Sequence, residues 1–574
     1  MSRAGVLALA FAVAALILAA AAGPAAAQTT APGKIPPGAA KRSSTAITAP
    51  PSLNRPPPGY ARTGLEVSRT AGRVAKIRAV RAGRRNTYAR PYLKGPPRLR
   101  RWQVSFYAPS GRPGKVPEQI GQVLVDDRTG RAREAWTGIQ VEWQMARGYP
   151  GAFGRAVNSP YLWIGLCVLF VLPFLRRPLR LLHLDLAVLL AFSVSYAFFG
   201  DARIGVSVPS VYPLLLYLLV RMLGIAWARS RGRAPAERPP LRLAVPYSLL
   251  ALGIVFLVGL RVGLNVADGN VIDVGYAGVI GADRLLDGRE LYGGFPSDNA
   301  QGDTYGPVNY YAYVPFEAVL PWSGSWDDLP AAHGAAIAFD LACLLLMFLV
   351  GRRIRGPGLG ILLAYLWAAF PFTLLVANSN ANDSLVAALV LLVLLAVARP
   401  AARGATLAAA ALTKFAPLAL APLVATYRGG ARAGEWGRER GIVRPVVVTA
   451  LALAAAGVAL LAPVILDGRL ELFYDRTLRY QNERGSPFSL WGYYDLPVLQ
   501  DVAKAAGAAL AVVVAFVPRR RDVVVLAALG AAVLIALQMG VTHWFYLYLV
   551  WFFPLVMIAL LAPHAEPDPP PRIL

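Results

Sequence analysis

Long apolar runs follow one another along the chain after residue 158, separated by short polar or basic stretches. An apolar stretch of about 20 residues is long enough to cross a bilayer as a helix. We predict eleven such spans, at 160–175, 183–199, 208–228, 243–264, 331–351, 358–377, 383–398, 443–466, 498–517, 523–540 and 543–562. The pattern therefore predicts a mainly α-helical, polytopic membrane protein.

One further apolar segment, 404–426, has a charge and a helix breaker near its centre, Lys414 and Pro417. If this segment crossed the membrane, the basic run 428–444 would lie outside, whereas basic loops favour the cytoplasm. We therefore predict a re-entrant hairpin with both ends in the cytoplasm. Broken backbone at membrane depth is tolerated only where it is buried in protein or lines a wet cavity.

The basic clusters between spans predict the topology, because cytoplasmic loops are enriched in Lys and Arg. If the first span starts outside, four clusters reach the same side of the membrane: 176–180, 229–233, 352–355 and 519–521. The same topology places four polar stretches on the external face: 265–330, 378–383, 467–497 and the start of the last span at His543.

The N-terminal residues have the pattern of an export signal. Residues 1–27 combine a short positive start, an apolar run and an Ala-x-Ala site, as in a secretory signal, with an uncleaved signal anchor as the alternative. Residues 28–60 are rich in Pro, Ala, Ser and Thr, a composition that predicts a disordered linker.

Residues 61–157 predict a small exported α+β domain. Apolar residues at helical spacing predict one amphipathic helix over 65–80. Strand patterns follow at 102–107, 120–127 and 133–136, and the last two are joined by the turn Asp127–Gly130. This helix, strand and strand–Asp-x-x-Thr-Gly–strand order resembles a PepSY-like domain.

The complete order predicted from the sequence has seven segments. They are the signal 1–27, the linker 28–60, the exported domain 61–157, a first group of spans 158–264, an external loop 265–330, the main membrane body 331–562 and a cytoplasmic tail 563–574.

Composition supports a membrane protein. The 574 residues are 56% hydrophobic with a mean hydropathy of +0.48, which is too apolar for a soluble enzyme. The formal net charge is +26, and residues 28–157 contain 24 Lys and Arg against 6 Asp and Glu. A basic exported domain would lie against anionic lipid or a cell-wall polymer, or merely present a solvated basic surface. Nucleic-acid binding is not expected.

Several classes of chemistry are not expected from the motifs. The two cysteines, Cys167 and Cys343, lie inside apolar runs, so we expect neither disulfides nor a Cys/His metal cluster. The chain has no P-loop motif, no Gly-rich dinucleotide motif after a strand and no His/Glu metal spacing. An ATP-driven pump or a dinucleotide enzyme is therefore disfavoured, and no cofactor or metal ligand is assigned.

The 265–330 loop carries the main catalytic candidate, Asp273. It sits just before the helix-compatible run Val274–Asp287, which ends at Gly288, a favourable helix C-cap. A carboxylate held at the membrane surface can act as a general base, and the alternative is an N-cap. Tyr276, in the same run, is a candidate for substrate binding, and the aromatic segment Tyr305–Pro315 predicts either an interfacial belt or a surface against which a sugar ring stacks. Asn309 lies in the same aromatic segment.

Other polar residues on the predicted external side, or inside the predicted hairpin, are candidates for substrate binding. An intramembrane charge such as Lys414 is a functional hypothesis unless the side chain extends to the surface. Arginines interleaved with aromatic residues in the 467–497 loop suit a sugar phosphate, or lipid headgroups without catalysis. The candidates are Asn378, Asp383, Lys414, Arg479, Arg484 and His543, and the alternative for the Asn378–Asp383 stretch is a tight turn.

These stretches together resemble the GT-C superfamily of membrane glycosyltransferases, and most closely glycosyltransferase family 87. The resemblance is carried by Asp273–Tyr276 through Leu285–Tyr292, by Thr304–Pro307 through Pro315, and by Thr413–Pro417, and it covers roughly residues 243–562. It implies a polyprenyl-phosphate sugar as donor, such as polyprenol-phosphate mannose, and Asp273 as the essential acid of the first external loop.

The resulting hypothesis is an inverting transferase of a bacterial plasma membrane. Asp273 would take the proton of an acceptor hydroxyl, while Lys414, Arg479 or Arg484 stabilises the departing lipid phosphate. The acceptor would be an envelope glycan, glycolipid or protein. The alternatives are a transporter or flippase of lipid-linked sugars and a non-catalytic scaffold of envelope assembly.

Overall fold

A computed structural model describes residues 47–95, 99–109, 117–147, 153–176, 180–233, 238–428, 443–518 and 521–564. The predicted signal, most of the predicted linker, the C-terminal residues 565–574 and most of the basic run 428–444 lie outside the described residues. The chain divides after Arg147 into two compact units, and it is mainly helical with a small antiparallel sheet in the first unit.

The first unit contains a five-stranded antiparallel sheet in which each strand pairs with the next one along the chain. Two helices, α1 (Gly64–Gly72) and α2 (Ala75–Ala82), cover one surface of the sheet. Trp102, Val104 and Phe106 of the third strand face these helices in a buried apolar core. The strands are β1 (Ile47–Thr48), β2 (Tyr88–Lys94), β3 (Arg101–Ala108), β4 (Glu118–Asp126) and β5 (Ala132–Thr137), and a short helix α3 (Ile139–Glu142) follows.

The helix predicted over 65–80 is two helices, because the chain turns at Arg73 and Val74. Thr63 and Glu66 form a capping box that fixes the start of α1. The three predicted strands are present as β3, β4 and β5. The pattern missed β2, because its core-facing positions are only Ala89, Pro91 and Leu93, and a proline is disfavoured within a strand.

The second unit is a helical body that begins with residues 153–159, which pack against its loops. Its helices are α4 (Pro160–Val171), α5 (Leu181–Gly200), α6 (Ile204–Ser230), α7 (Tyr247–Asp268), α8 (Asp273–Leu286), α9 (Pro307–Tyr311), α10 (Val314–Val319), α11 (Pro330–Arg355), α12 (Pro357–Ala369), α13 (Pro371–Asn378), α14 (Asp383–Ala396), α15 (Pro400–Ala411), α16 (Ala421–Ala425), α17 (Val443–Leu466), α18 (Leu470–Tyr474), α19 (Tyr480–Glu483), α20 (Leu490–Tyr494), α21 (Pro497–Val513), α22 (Val523–Gly540) and α23 (Leu549–Leu561).

Six helices of the described residues are long and apolar enough to cross a membrane: α5, α6, α7, α11, α17 and α22. The pair α12 and α13 adds a seventh if it is counted as one span, although the two are bent by 60° at Phe370 and Pro371. Shorter apolar helices, such as α14 and α23, occupy other predicted spans. The transmembrane character therefore agrees with the prediction, whereas the count of eleven spans remains a prediction.

Two buried ion pairs connect long helices of this body. Arg261 of α7 donates two hydrogen bonds to Asp340 of α11, and both side chains are almost fully buried. Arg221 of α6 donates to Asp185 of α5. Breaking such a pair leaves an uncompensated charge inside the protein, so these pairs specify which helices are neighbours. The hydrophobic pattern alone did not predict them.

The 265–330 stretch is folded rather than extended over the surface. Helix α8 packs against α9, α10 and α11. Two glycines of α8 allow this close approach, since a Cβ atom at Gly278 would lie 2.5 Å from the Tyr313 ring and one at Gly281 would lie 2.1 Å from the Tyr310 ring. Tyr310 and Tyr313 are fully buried. This packing fixes α8, and with it Asp273, against the helical body.

Candidate functional site

Asp273 is the first residue of α8, and the backbone before it is fixed by the Asn378–Asp383 turn. The Asn270 N–H donates to the Asn378 carbonyl at 3.0 Å, and the Ile272 N–H donates to the Ser379 carbonyl at 3.2 Å. The N-cap position is Ile272, with Asp273 inside the helix. The structure therefore brings two predicted external stretches, distant in sequence, to one place.

The Asn378–Asp383 turn is buried throughout and is built from asparagines. Asn380 has φ of +54°, a left-handed conformation that Asn tolerates better than most residues. Asn265 donates to the Ala377 carbonyl at 2.7 Å and to Asn380 Oδ1 at 2.8 Å. A Cβ atom at Gly275 would lie 2.3 Å from the Asn380 carbonyl oxygen, so α8 rests directly on this turn.

Asp383 follows this turn and holds Lys414. Its Oδ1 accepts from Lys414 Nζ at 2.6 Å and from Trp551 Nε1 at 2.8 Å, whereas its Oδ2 is buried without a hydrogen-bond partner in the described part of the chain. The ammonium group also lies over three aromatic rings, at 5.5 Å from Tyr305, 5.4 Å from Tyr548 and 5.2 Å from Trp551. Lys414 is thus an ion-paired cation enclosed by aromatic rings.

The helix is interrupted around Lys414, and this interruption explains how a lysine reaches this position. Helix α15 ends at Ala411, and a 3₁₀ helix starts only at Ala416. The Val308 N–H, in the first turn of α9, donates to the Leu412 carbonyl at 3.1 Å, so α9 satisfies a carbonyl at the end of α15. The interruption expected within 404–426 is therefore present. The re-entrant path through a membrane remains a prediction.

Asp273 is open to solvent and yet partly desolvated by the surrounding protein, which weakens the hydration of its charge. This desolvation raises the pKa of the carboxyl group, while a hydrogen bond from the Val274 N–H and the charges of Arg484 and Lys414 act to lower it. A carboxylate with these neighbours can accept a proton from a ligand that binds beside it.

Arg484 supplies the second open group. It follows α19, its Nε is buried without a partner among the described residues, and its Nη1 reaches only Gln481 at 3.5 Å, the limit of a hydrogen bond. His543 lies within electrostatic reach of Arg484 and Lys414, and its Nδ1 lies 2.9 Å from Ser486 Oγ. Arg484 is therefore a cation with donors left for an anionic ligand.

The other four predicted substrate-binding residues, described next, each contact other groups of the protein. Arg479 is exposed and pairs with Asp475 and Glu483, so the structure does not bring it to the site. Tyr276 is buried against Trp322 and Trp326. Asn378 donates to the Phe153 carbonyl at 2.7 Å, and Asn309 accepts from Asn382 at 2.5 Å. Of the nine predicted substrate-binding residues, Tyr305, Asp383, Lys414, Arg484 and His543 gather near Asp273.

Sequence reasoning missed Trp551 and Tyr548, which lie at the start of α23 and contact Lys414. In an apolar run, such residues resemble an interfacial aromatic belt. It also missed Asp303 and Arg476. The Asp303 carboxylate accepts from Arg476 Nε at 2.8 Å and from the Gly293 N–H at 2.8 Å, which joins the 467–497 loop to the 265–330 loop. An Asp separated by 173 residues from its Arg carries no signal in one sequence.

Within the described residues, no group of three or more His, Cys, Asp and Glu side chains is placed to hold a metal ion. A cavity of about 290 Å³ lies apart from the polar cluster, at the ends of α11, α14 and α15, where Arg353, Leu392 and Arg399 line it. The cluster around Asp273 is assigned by charge, burial and open hydrogen-bonding groups, not by cavity size.

Comparison with known proteins returned no similarity. No protein-family model matches the chain, and no curated protein or solved structure is significantly similar to it.

Proposed function

We propose that this protein is a membrane glycosyltransferase that moves a sugar from a polyprenyl-phosphate donor to an acceptor of the cell envelope at the external face. The observation that supports it best is the arrangement of Asp273 and Arg484. A solvent-open carboxylate and a cation with unused donors lie within electrostatic reach of each other, beside the enclosed Lys414–Asp383 pair. Transfer of a phosphate-linked sugar to a hydroxyl group needs one base and one cation of this kind.

The reaction follows from these roles. Asp273 accepts the proton of an acceptor hydroxyl group as that oxygen attacks the anomeric carbon of the donor sugar. The bond between the anomeric carbon and the phosphate oxygen breaks, and its electron pair remains on the phosphate. The products are the glycoside, polyprenyl phosphate and a protonated Asp273, which then loses its proton to water. A single displacement inverts the anomeric centre.

The cations have different parts in this proposal. Lys414 is committed to Asp383 at 2.6 Å, so it contributes positive potential rather than free donors. Arg484 has donors available for the phosphate, and a guanidinium group can bind a phosphate through two parallel hydrogen bonds. Arg479 is left out, because Asp475 and Glu483 already neutralise it. We therefore assign stabilisation of the leaving phosphate to Arg484.

The type of donor follows from topology and from the resemblance to glycosyltransferase family 87. The positive-inside pattern predicts that Asp273 faces the exterior, where nucleotide sugars are absent. A donor must then already be on that side, and a lipid-linked sugar phosphate meets this requirement. The long apolar helices provide the membrane context in which such a lipid dissolves.

The test uses the purified full-length protein in lipid nanodiscs, with radiolabelled polyprenol-phosphate mannose and an envelope extract as acceptor. Asp273→Asn is expected to lower transfer by about 10²–10⁴-fold, because it removes the general base. Asp287→Asn is the matched control, since Asp287 follows the same helix but is exposed and paired with Arg289. Equal transfer by the wild type and Asp273→Asn would reject the proposal.

A further inference from the structure

The cavity of about 290 Å³ in the helical body lies where α11 and α14 end and α15 begins. Because liquid water occupies about 30 Å³ per molecule, this space would hold roughly ten waters and can admit a small ligand group. The basic cluster 352–355 closes α11, and the positive-inside pattern predicts that these helix ends face the cytoplasm. The cavity is therefore predicted to lie at the inner surface of the membrane.

Two guanidinium groups line this cavity, and within the described part of the chain no Asp or Glu lines it. Arg353, in the last turn of α11, donates from Nη1 to the Leu395 carbonyl at 2.7 Å, which connects its side chain to α14. Arg399 lies in the connection between α14 and α15, where it is exposed and makes no ion pair or side-chain hydrogen bond with a described residue. Two positive charges on one cavity favour an anionic ligand.

The rest of the cavity wall is apolar and lies toward the membrane centre from these cations. Apart from Thr406, the other residues that line it are leucines and alanines. Leu392 lies four residues before the end of α14, which is about 6 Å along the helix. On the way to Arg353, α11 also exposes an apolar residue, since Leu345 is 55% exposed. The surface thus changes from guanidinium groups at the helix ends to leucines within the helices.

This order of charged and apolar surface distinguishes between anionic ligands. A phospholipid holds its phosphate toward the water and its acyl chains toward the membrane centre, which is the order found in the cavity. A soluble phosphate has no apolar part to place against the leucines. Basic pockets between membrane helices on the cytoplasmic side are typical sites for anionic lipid headgroups. A choline headgroup is disfavoured, because its cation would meet two arginines and no carboxylate of the described residues.

We propose that this cavity binds the headgroup phosphate of an anionic phospholipid from the leaflet that is predicted to face the cytoplasm. Arg353 and Arg399 contact the phosphate oxygens, which a planar guanidinium group can bind through two parallel hydrogen bonds. Leu392 and Leu395 contact the glycerol and the first carbons of the acyl chains. The proposal does not depend on the transferase activity, because the predicted topology places Asp273 on the opposite face of the membrane.

The experiment titrates the full-length protein in detergent with phosphatidylglycerol and measures the bound lipid by native mass spectrometry. Phosphatidylcholine with the same acyl chains is the zwitterionic comparison. Glycerophosphoglycerol, the same headgroup without acyl chains, represents a soluble phosphate. The wild-type protein is expected to bind phosphatidylglycerol more tightly than either of the other two compounds.

The double variant Arg353→Gln/Arg399→Gln is expected to weaken phosphatidylglycerol binding about 30-fold, because it removes both cations from the headgroup. Arg399→Gln alone should weaken it about fivefold and leaves the bond from Arg353 to the Leu395 carbonyl in place. The matched control is Arg231→Gln/Arg233→Gln, which removes two exposed cations just after α6, outside the cavity. It should stay within about twofold of the wild type, since distant exposed charges are screened.

Three results would overturn the proposal. Equal affinity for glycerophosphoglycerol and phosphatidylglycerol would identify a soluble phosphate as the ligand. Equal affinity for the two lipids would show that the arginines do not select an anionic headgroup. Equal weakening in the cavity variants and the control variant would assign binding to the net charge of the protein. Thermal unfolding of each variant is measured in parallel, and Arg399→Gln decides the outcome if the double variant is unstable.

Discussion

Two charged regions of the candidate site lie next to each other. They differ in how many of their charged and hydrogen-bonding groups have partners among the described residues. In the first, Lys414 and Asp383 form an ion pair, and their side chains are 10% and 1% exposed. Three aromatic rings enclose the ammonium group. In the second, Asp273 is exposed to solvent and has no ion pair among the described residues, and Arg484 retains unused donors.

The difference separates a structural role from a chemical one. A buried charge that is fully paired contributes to the shape of the site, because removing one partner leaves the other unsatisfied. An open charge costs the protein little when it is removed, but it is the group that a ligand meets. On this basis we assign Lys414 and Asp383 mainly to the architecture of the site, and Asp273 and Arg484 to the chemistry.

The largest effect is expected on stability, from removing one partner of the Lys414–Asp383 ion pair. Asp383→Ala leaves Lys414 buried without its carboxylate, and removes the acceptor of Trp551, so the free energy of unfolding should fall by about 3–5 kcal/mol. Unfolding in mixed micelles of increasing SDS content measures this loss. Asp273→Asn should change the same quantity by less than about 0.5 kcal/mol, as is usual for exposed positions.

The double variant Asp383→Ala/Lys414→Met tests the cause. If the loss arises from an unpaired ammonium group, removing that group should recover a large part of the lost free energy of unfolding. A double variant as unstable as Asp383→Ala would instead show that Asp383 acts through the buried turn before it. In that case the contrast between the paired Lys414 and Asp383 and the unpaired Asp273 and Arg484 would no longer hold.

The site residues that could be predicted are those whose signal lies in the neighbouring sequence. Asp273, Lys414 and Arg484 were predicted from local features, namely an acid at a helix start, a charge in an apolar run and an arginine among aromatic residues. The same local features also selected Arg479, which the structure pairs with Asp475 and Glu483 on its own helical turn. Spacing of four residues in a helix is the signal that predicts such pairs.

Contacts between distant segments were not predictable in the same way. The turn at Asn378 and the start of α8 are joined by backbone hydrogen bonds, which any residue type can make. The pairing of Arg261 with Asp340 requires knowledge of which helices are neighbours. For the fold, apolar runs predicted where the helices lie, but they did not predict that the run 358–377 is broken at Pro371 into two helices too short to span alone.

A second effect is expected on the turnover number when Arg484 is replaced. In free energy it is smaller than the loss of stability expected for Asp383→Ala. Arg484→Gln should lower the turnover number of sugar transfer by about 10²-fold, because it removes a donor to the charge that develops on the departing phosphate. Arg479→Gln is the matched control from the same loop and should stay within about twofold, since that arginine is neutralised by two acids. Initial rates at saturating donor measure both. Equal losses in the two variants would assign the effect to the general charge of the loop.

The smallest effect concerns the pH dependence of transfer, and it links the two open groups. The base must be ionised to act, so the rate should rise with pH through the pKa of Asp273 and then level off. Desolvation raises this pKa, which moves the acid limb to higher pH than for an ordinary aspartate, whereas the positive charge of Arg484 lowers it. Arg484→Gln should therefore move the limb further toward higher pH, and Arg479→Gln should leave it in place.

Rate profiles of both variants, measured between about pH 4 and pH 8 around the ordinary range of carboxyl groups, give the direction of each shift. A limb that moves to lower pH in Arg484→Gln would show that the titrating group is not a carboxylate beside that arginine, and it would remove the electrostatic basis for treating Asp273 and Arg484 as one site.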